Sequence, residues 1–184
     1  DLTSGEQQIL ASGNDFYSSP RLSADGNQLS WLQWNHPNMP WDGSELWLAD
    51  VQEDGSLTNK TLIADGDSES VFQPEWSPGG ELYFVSDRSD WWNLYRRRAG
   101  KIEAVCTMNA EFGLPQWVFG MSTYGFVSAK QIVCAYVEKG FSRLALIDAE
   151  SGRIETVAAP FTQIEGIRCG AGKAVFFAGS PNEP

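Results

Sequence analysis

His36 is the only histidine of the sequence, and it stands between two prolines in Asn-His-Pro-Asn-Met-Pro-Trp-Asp-Gly, residues 35–43. A single imidazole with no cysteine nearby in sequence cannot make a zinc site. A serine nucleophile also needs a histidine base in reach, and only His36 is available. What remains for it is hydrogen bonding, to a substrate or to a carboxylate across a domain interface. The competing role is local order, with Pro37 and Pro40 restricting the backbone and Trp41 anchoring the loop by packing. Asn38 and Asp42 belong to the same loop, and Asp42-Gly43 reads as the turn into a following strand.

A second group lies in Ser-Asp-Arg-Ser-Asp-Trp-Trp, residues 86–92. Arg88 with Asp87 and Asp90 is suited to peptide termini, because a guanidinium pairs bidentately with a carboxylate. The same set also forms local ion pairs, which are worth little. Trp91 and Trp92 are adjacent, so in a strand they face opposite ways and both suit packing. Glu111 is placed to bind an ammonium group. Asp65, Asp67 and Glu69 alternate as ligands of a hard cation such as calcium would, but they lack the spacing of an EF-hand loop, and a solvated acidic link explains them too.

Nucleophilic catalysis is excluded more firmly. The nucleophile elbow G-x-S-x-G is missing: Gly-Met-Ser-Thr-Tyr (120–124) and Gly-Phe-Ser-Arg-Leu (140–144) both lack the final glycine. There is no phosphate-cradling glycine loop. No catalytic residue, metal site or cofactor is expected.

Composition narrows the classes further. The formal net charge is −11, which argues against nucleic acid, since phosphate neutralisation needs Lys and Arg. The run Arg96-Arg97-Arg98 would alternate faces in a strand. No apolar stretch approaches the roughly 18 residues a membrane helix needs. The first residues show no basic-then-apolar signal pattern, and a start without Met leaves room for an upstream part. The three cysteines, Cys106, Cys134 and Cys169, sit in separate apolar segments and read as free buried thiols, hence a cytoplasmic setting. Asn59-Lys60-Thr61 fits a glycosylation triplet that matters only in a secreted protein.

The elements that must carry these residues follow from internal repetition. Ser-Ser-Pro-Arg-Leu-Ser-Ala-Asp-Gly-Asn from Ser18 and Phe-Gln-Pro-Glu-Trp-Ser-Pro-Gly-Gly-Glu from Phe72 share a proline, an apolar residue, a serine and a tight glycine turn. Pro20, Pro74 and Pro115 recur at roughly 40–50 residues, the period of propeller blades. Four strands per unit are predicted: 17–23, 28–34, 44–50 and 58–64; then 71–77, 81–87, 92–97 and 101–107; then 115–128, 131–137, 142–148 and 153–158. Residues 7–13 read as the last strand of a preceding blade, and 162–180 as the first two of a following one. Strands such as Leu-Tyr-Phe-Val-Ser are apolar on both faces, as a blade sandwiched between neighbours allows. The expected fold is all-β: an incomplete β-propeller of four-stranded antiparallel blades, about three blades plus partial blades at both ends. The units run 1–15, 16–70, 71–113, 114–160 and 161–184.

That topology puts the short glycine turns on one face. The longer loops, richer in aromatics, prolines and carboxylates, fall on the other, with His36, Arg88, Trp91 and Glu111 among them. Such loops on a rigid scaffold are where binding resides.

The pieces Trp-Asn-His-Pro-Asn-Met-Pro-Trp-Asp-Gly-Ser-Glu-Leu-Trp, Phe-Gln-Pro-Glu-Trp-Ser-Pro, Leu-Tyr-Phe-Val-Ser-Asp-Arg-Ser-Asp-Trp-Trp-Asn-Leu-Tyr, Glu-Phe-Gly-Leu-Pro-Gln-Trp-Val-Phe-Gly and Phe-Phe-Ala-Gly-Ser-Pro resemble the N-terminal propeller of the prolyl oligopeptidase family, in its dipeptidyl-aminopeptidase/acylaminoacyl-peptidase-like branch. The resemblance covers nearly everything from Phe16 onward. It departs at Ala24, Gly79 and Asp90, all in turns, where the repeat usually has Pro, Asp and Gly.

The resemblance implies a propeller that screens access, packed on an α/β-hydrolase domain with a Ser-Asp-His triad that cleaves short peptides. The catalytic half is absent from this sequence, so the chain alone is expected to hydrolyse nothing. The competing expectation is a stand-alone propeller-like scaffold that binds a protein or peptide through its long-loop face. Partners expected are the hydrolase domain of the same parent chain and short peptides. Too few blades to close a ring also predict self-association of the isolated chain.

Overall fold

The computed structural model describes residue 2, residues 5–67 and residues 69–181. Among the described residues the chain forms fourteen strands and no helix. The first sheet joins β1 (Phe16–Leu22), β2 (Gln28–Trp34), β3 (Glu45–Val51) and β4 (Leu57–Asp65) in chain order, all antiparallel. The second joins β5 (Val71–Trp76), β6 (Leu82–Ser86), β7 (Asn93–Arg98) and β8 (Lys101–Ala104) in the same way. The third joins β9 (Tyr124–Ser128), β10 (Gln131–Glu138), β11 (Phe141–Asp148) and β12 (Ile154–Val157). A two-stranded sheet, β13 (Gln163–Gly170) with β14 (Lys173–Gly179), follows. This is an incomplete β-propeller.

Local chemistry makes the hairpins. Between β1 and β2, Asp25 Oδ1 accepts from Ser23 Oγ at 2.6 Å and from Asn27 N at 3.1 Å. Gly26 takes a φ of 74° there and returns its N–H to Ser23 O at 2.9 Å. That left-handed backbone is one that glycine adopts at no steric cost. The β5–β6 turn repeats the device, with Gly80 N bonded to Ser77 O at 2.9 Å.

Packing between sheets explains the doubly apolar strands. Leu82 and Phe84 of β6 join Leu32, Leu46 and Val71 in the core between the first and second sheets. Tyr83 and Val85, the alternate residues of the same strand, face the third sheet and meet Ile132, Cys134 and Ile147. Val133 and Ala135 then pack on Ile164 and Ile167 of the last sheet.

The first strand of each sheet lies innermost, since β5 touches β1 and β13 touches β9. Three of these strands share an irregularity: pairing slips between Ser18 and Arg21, between Phe72 and Glu75, and between Glu165 and Arg168. The extra residue has a positive φ in each, at Ser19, Gln73 and Gly166, as a bulge requires. Gln73 uses its bulge to tie two sheets. Its Nε2 donates to Tyr124 O at 2.8 Å, its Oε1 accepts from Thr123 N at 2.7 Å, and its own carbonyl accepts from Tyr124 Oη at 2.9 Å.

Three sequence expectations need correction. Residues 7–13 form no strand. A strand needs a hydrogen-bonding neighbour, and this segment instead crosses the first sheet, with Leu10 O accepting from Lys60 Nζ at 3.0 Å. The strand expected over 115–128 is only Tyr124–Ser128. Before it the chain leaves the sheet as a loop whose base is closed by Thr123 Oγ1 donating to Phe112 O at 2.6 Å. Val105 to Thr107, expected as the end of β8, also lies beyond Lys101–Ala104.

Candidate functional site

The long loops do gather on one side, where two of them meet. Ser44 N donates to Glu69 O at 3.3 Å, and Ser70 Oγ donates to Pro40 O at 2.8 Å. A cleft of about 180 Å³ opens there, lined by His36, Asn38, Glu45, Asp65 and Asp67. The His36–Pro37 peptide is cis. His36 N donates to Asp15 Oδ2 at 2.9 Å, which fixes the loop at one end. Asp42 Oδ2 accepts from Met39 N at 2.9 Å, and Asp42 N donates to Met39 O at 2.9 Å, so this carboxylate caps its own turn. Asn38 N donates to Asn35 O at 3.0 Å. Gly43 allows the close approach of the two loops, because a Cβ there would stand 2.3 Å from Gly66 O.

Trp41 turns away from this cleft and packs on Trp117, with ring centroids 4.2 Å apart and planes inclined at 50°. Its partner comes from the loop before β9.

Arg88 lies in a neighbouring open cleft with Leu62, Asp65 and Glu69. The sequence places it between Asp87 and Asp90, but the carboxylate it meets is Glu69. Nε reaches Oε2 at 2.9 Å and Nη2 reaches Oε1 at 2.8 Å. Its guanidinium also lies over the rings of Phe84 and Tyr95, at 5.7 and 5.1 Å. With one edge on Glu69 and its face on the two rings, Arg88 is a brace between the 65–70 link and β6–β7. Asp87 serves the same link, its Oδ1 accepting from Ser70 N at 2.7 Å. The three alternating carboxylates therefore diverge: Asp65 Oδ1 accepts from Asp67 N at 3.2 Å while Glu69 goes to Arg88.

The third cleft, of about 410 Å³, brings Trp91 and Glu111 together with Trp92, Asp87 and Asp90. Asn93, fully buried, holds its rim: its amide donates to Trp91 O and Met108 O, and its Oδ1 accepts from Met108 N at 2.9 Å. Glu111 is fixed at both ends. Its backbone pairs with Val137, at 3.0 and 2.8 Å, and its Oε2 accepts from Trp92 N at 3.0 Å. A carboxylate flanked by two indoles has the donor set for a cationic group. The sequence-selected residues thus divide among three clefts, and His36, Arg88 and Glu111 do not converge on one.

Glu45 and Trp117 were not singled out by sequence, and Glu69 only as one of three alternating carboxylates. Glu45 Oε2 accepts from Trp47 Nε1 at 2.6 Å and from Gln33 Nε2 at 2.7 Å, which needs strands β2 and β3 in register. The alternation Glu45, Trp47 was the one local signal. Among the described residues no three His, Cys, Asp or Glu side chains are grouped to hold a metal. The cysteines are free. Burial pushes the Cys106 thiol up to about 11 and raises those of Cys134 and Cys169. No helix of the described residues is long and apolar enough to cross a membrane.

No protein-family model and no curated protein matches the chain. Solved structures do. It is similar to puromycin hydrolase, at 37% identity and a TM-score of 0.84 over 91% of this chain and 26% of that one. It is similar also to a puromycin-hydrolyzing peptidase of Mycobacterium tuberculosis, at 30% identity and a TM-score of 0.87 over 96% of this chain and 28% of that one. Prolyl oligopeptidase B of Galerina marginata shares the fold at 13% identity, with a TM-score of 0.64. The chain spans about a quarter of the length of the first two structures. The chain thus matches the N-terminal propeller region of puromycin-hydrolysing peptidases, and it shares that fold with the prolyl oligopeptidases.

Proposed function

We propose that this chain is the non-catalytic propeller segment of a cytoplasmic serine peptidase acting on short peptides. In this reading it controls access of substrate and packs by its long-loop face on an α/β-hydrolase domain of the same parent chain. Its blade units are 16–70, 71–113 and 114–160, followed by part of a blade at 161–184. The observation that carries the reading is the 37% and 30% identity to two structures named for puromycin hydrolysis, confined to about a quarter of each.

Within it, the Trp91–Glu111 cleft is the place for a substrate ammonium group. The loop of His36, Asn38, Trp41 and Asp42 is the surface that meets the second domain or lines the way in. Arg88 acts by bracing these loops through Glu69.

The test uses the parent protein, expressed in full, with aminoacyl and peptidyl chromogenic substrates. Turnover abolished by a serine-directed inhibitor, together with none from residues 1–184 alone, supports the reading. Turnover by residues 1–184 alone, or none by the parent, overturns it. Glu111→Gln is expected to raise KM for substrates with a free amino terminus by about tenfold and to leave blocked substrates unchanged, as loss of one charge-assisted contact would.

A further inference from the structure

The loop that replaces the expected start of β9 has the form of an Ω-loop, with its two ends tied and its body packed by its own contacts. Phe112 and Thr123 close the base. From there the chain reaches towards the first sheet and back towards the last. On one side Gln116 Nε2 donates to Ser18 Oγ of β1 at 3.1 Å, and Trp117 packs on Trp41. On the other side Ser122 Oγ donates to Ile167 O of β13, and Ile167 N donates to Ser122 O at 3.2 Å. The Arg168 guanidinium donates to Gly120 O and Ser122 Oγ.

β1 and β13 are the innermost strands of the first and last sheets, with β5 and β9 between them. A segment bonded to both therefore crosses the space that the inner strands surround. Beneath it lies a cleft of about 320 Å³, bounded by Gly120, Met121 and Ser122 of the loop and by Arg21, Glu75 and Cys169 of the inner strands.

The two ends of this crossing are held unequally. Residues 120–122 are bonded to β13 through backbone and side chain. The outer turn is held to the first sheet by one amide and one indole contact, and Trp117, Val118 and Phe119 remain 71%, 64% and 75% exposed. Gly120, at φ 82°, stands at the junction of the two halves.

We propose that residues 113–122 are a strap across the axial passage of the propeller, latched by Trp41 on Trp117, and that an extended peptide entering by this passage must displace it. The proposal rests on the peptidase reading above for its substrate, but its geometry does not. Trp117 is then a specificity-determining residue: it sets which peptides pass by their cross-section, without contacting the reacting atoms.

Cys169 reports the strap without any catalysis. It lines the cleft beneath and is half-buried, whereas Cys106 and Cys134 are buried in the core. The experiment is labelling of residues 1–184 by a bulky maleimide, read thiol by thiol by peptide mass analysis. Trp117→Ala is expected to speed labelling of Cys169 at least fivefold, with Cys106 and Cys134 still unlabelled. A second variant runs the other way: Ser18→Cys with Gln116→Cys, oxidised, should slow Cys169 at least fivefold against the reduced form. Equal Cys169 rates in the wild type, the alanine variant and the locked pair overturn the strap. In the parent enzyme, the locked pair should lose turnover of extended peptides at least tenfold and regain it on reduction. A parent that cleaves no peptide would sink the peptidase reading and leave the labelling result standing, so the two failures are told apart.

Discussion

The indole of Trp92 lies so close over Gly113 that a Cβ on the glycine would stand 1.9 Å from Trp92 Cε3. The same ring stacks on Phe72, with centroids 6.0 Å apart, and the residue's backbone is bonded to both Glu111 and Phe112. Gly113 is thus required for space, where the strap leaves the second sheet. Gly113→Ala must push the indole or the strap aside. Overpacking of this kind costs about 1–3 kcal/mol. The midpoint of urea unfolding should fall accordingly, and Trp fluorescence should change with it. An unchanged midpoint would show that the ring can swing away freely.

Arg88 and Glu69 supply a second measurable link. Their side chains are 28% and 10% exposed, so solvent screens the pair only in part, and the guanidinium edge fits the carboxylate at two points. Arg88→Ala should destabilise the chain by about 1–2 kcal/mol, through loss of the pair and of the stacking on Phe84 and Tyr95. Arg88→Lys should recover less than half, because an ammonium cannot reproduce the planar fork. A double-mutant cycle with Glu69→Gln isolates the coupling. A coupling near zero would assign the whole effect of Arg88→Ala to ring packing.

These two links also show what sequence could and could not reveal. The hairpins were legible because Ser23-Ala24-Asp25-Gly26-Asn27 and Ser77-Pro78-Gly79-Gly80-Glu81 carry their own hydrogen-bond chemistry within five residues. The all-β reading was legible because Leu82–Ser86, apolar on both faces, has no place in a sheet open to water on one side. Partners distant in the chain were not legible. Arg88 has two aspartates within two residues of it, yet it binds Glu69, which only the link between sheets brings near. Trp41 has no local sign that Trp117 is its neighbour. Residues 115–123 read as the first part of a strand, and only the tie of Phe112 to Thr123 and the bonds to β1 and β13 make them a strap. Gln73 is a polar residue in an apolar strand, and nothing nearby in sequence marks the bulge that sends its amide to Thr123 and Tyr124.

Acid should weaken the fold through its turn carboxylates. Asp25 is held below its usual 3.8 by donation from Ser23 and Asn27. Asp148 is held below 3.8 by Ser151, and Glu150 below 4.5 by Arg98. In each case the unfolded chain binds the proton more readily than the native one. Their contribution is therefore complete above the unfolded values and is lost as pH falls through the lower native ones. Unfolding midpoints should be flat from pH 7 to about 5 and decline below about 4. Asp25→Asn should be less stable at pH 7 and show a shallower decline in acid. A variant with the wild-type slope would remove Asp25 from the account.

The last sheet exposes the surface that bears on association. Val175 and Phe177 of β14 are 66% and 74% exposed. They alternate, so both side chains leave the same face. Among the described residues, β14 has a partner only on its β13 side, which leaves a row of backbone donors and acceptors open to another strand. An apolar face beside an open edge is a template for pairing between copies, so residues 1–184 alone should self-associate. Light scattering should show an average mass that rises with concentration. Val175→Lys with Phe177→Glu should return it towards the monomer mass, since charges on that face resist its burial, with far-ultraviolet circular dichroism unchanged. A clean monomer in the wild type at high concentration and without detergent would overturn the prediction.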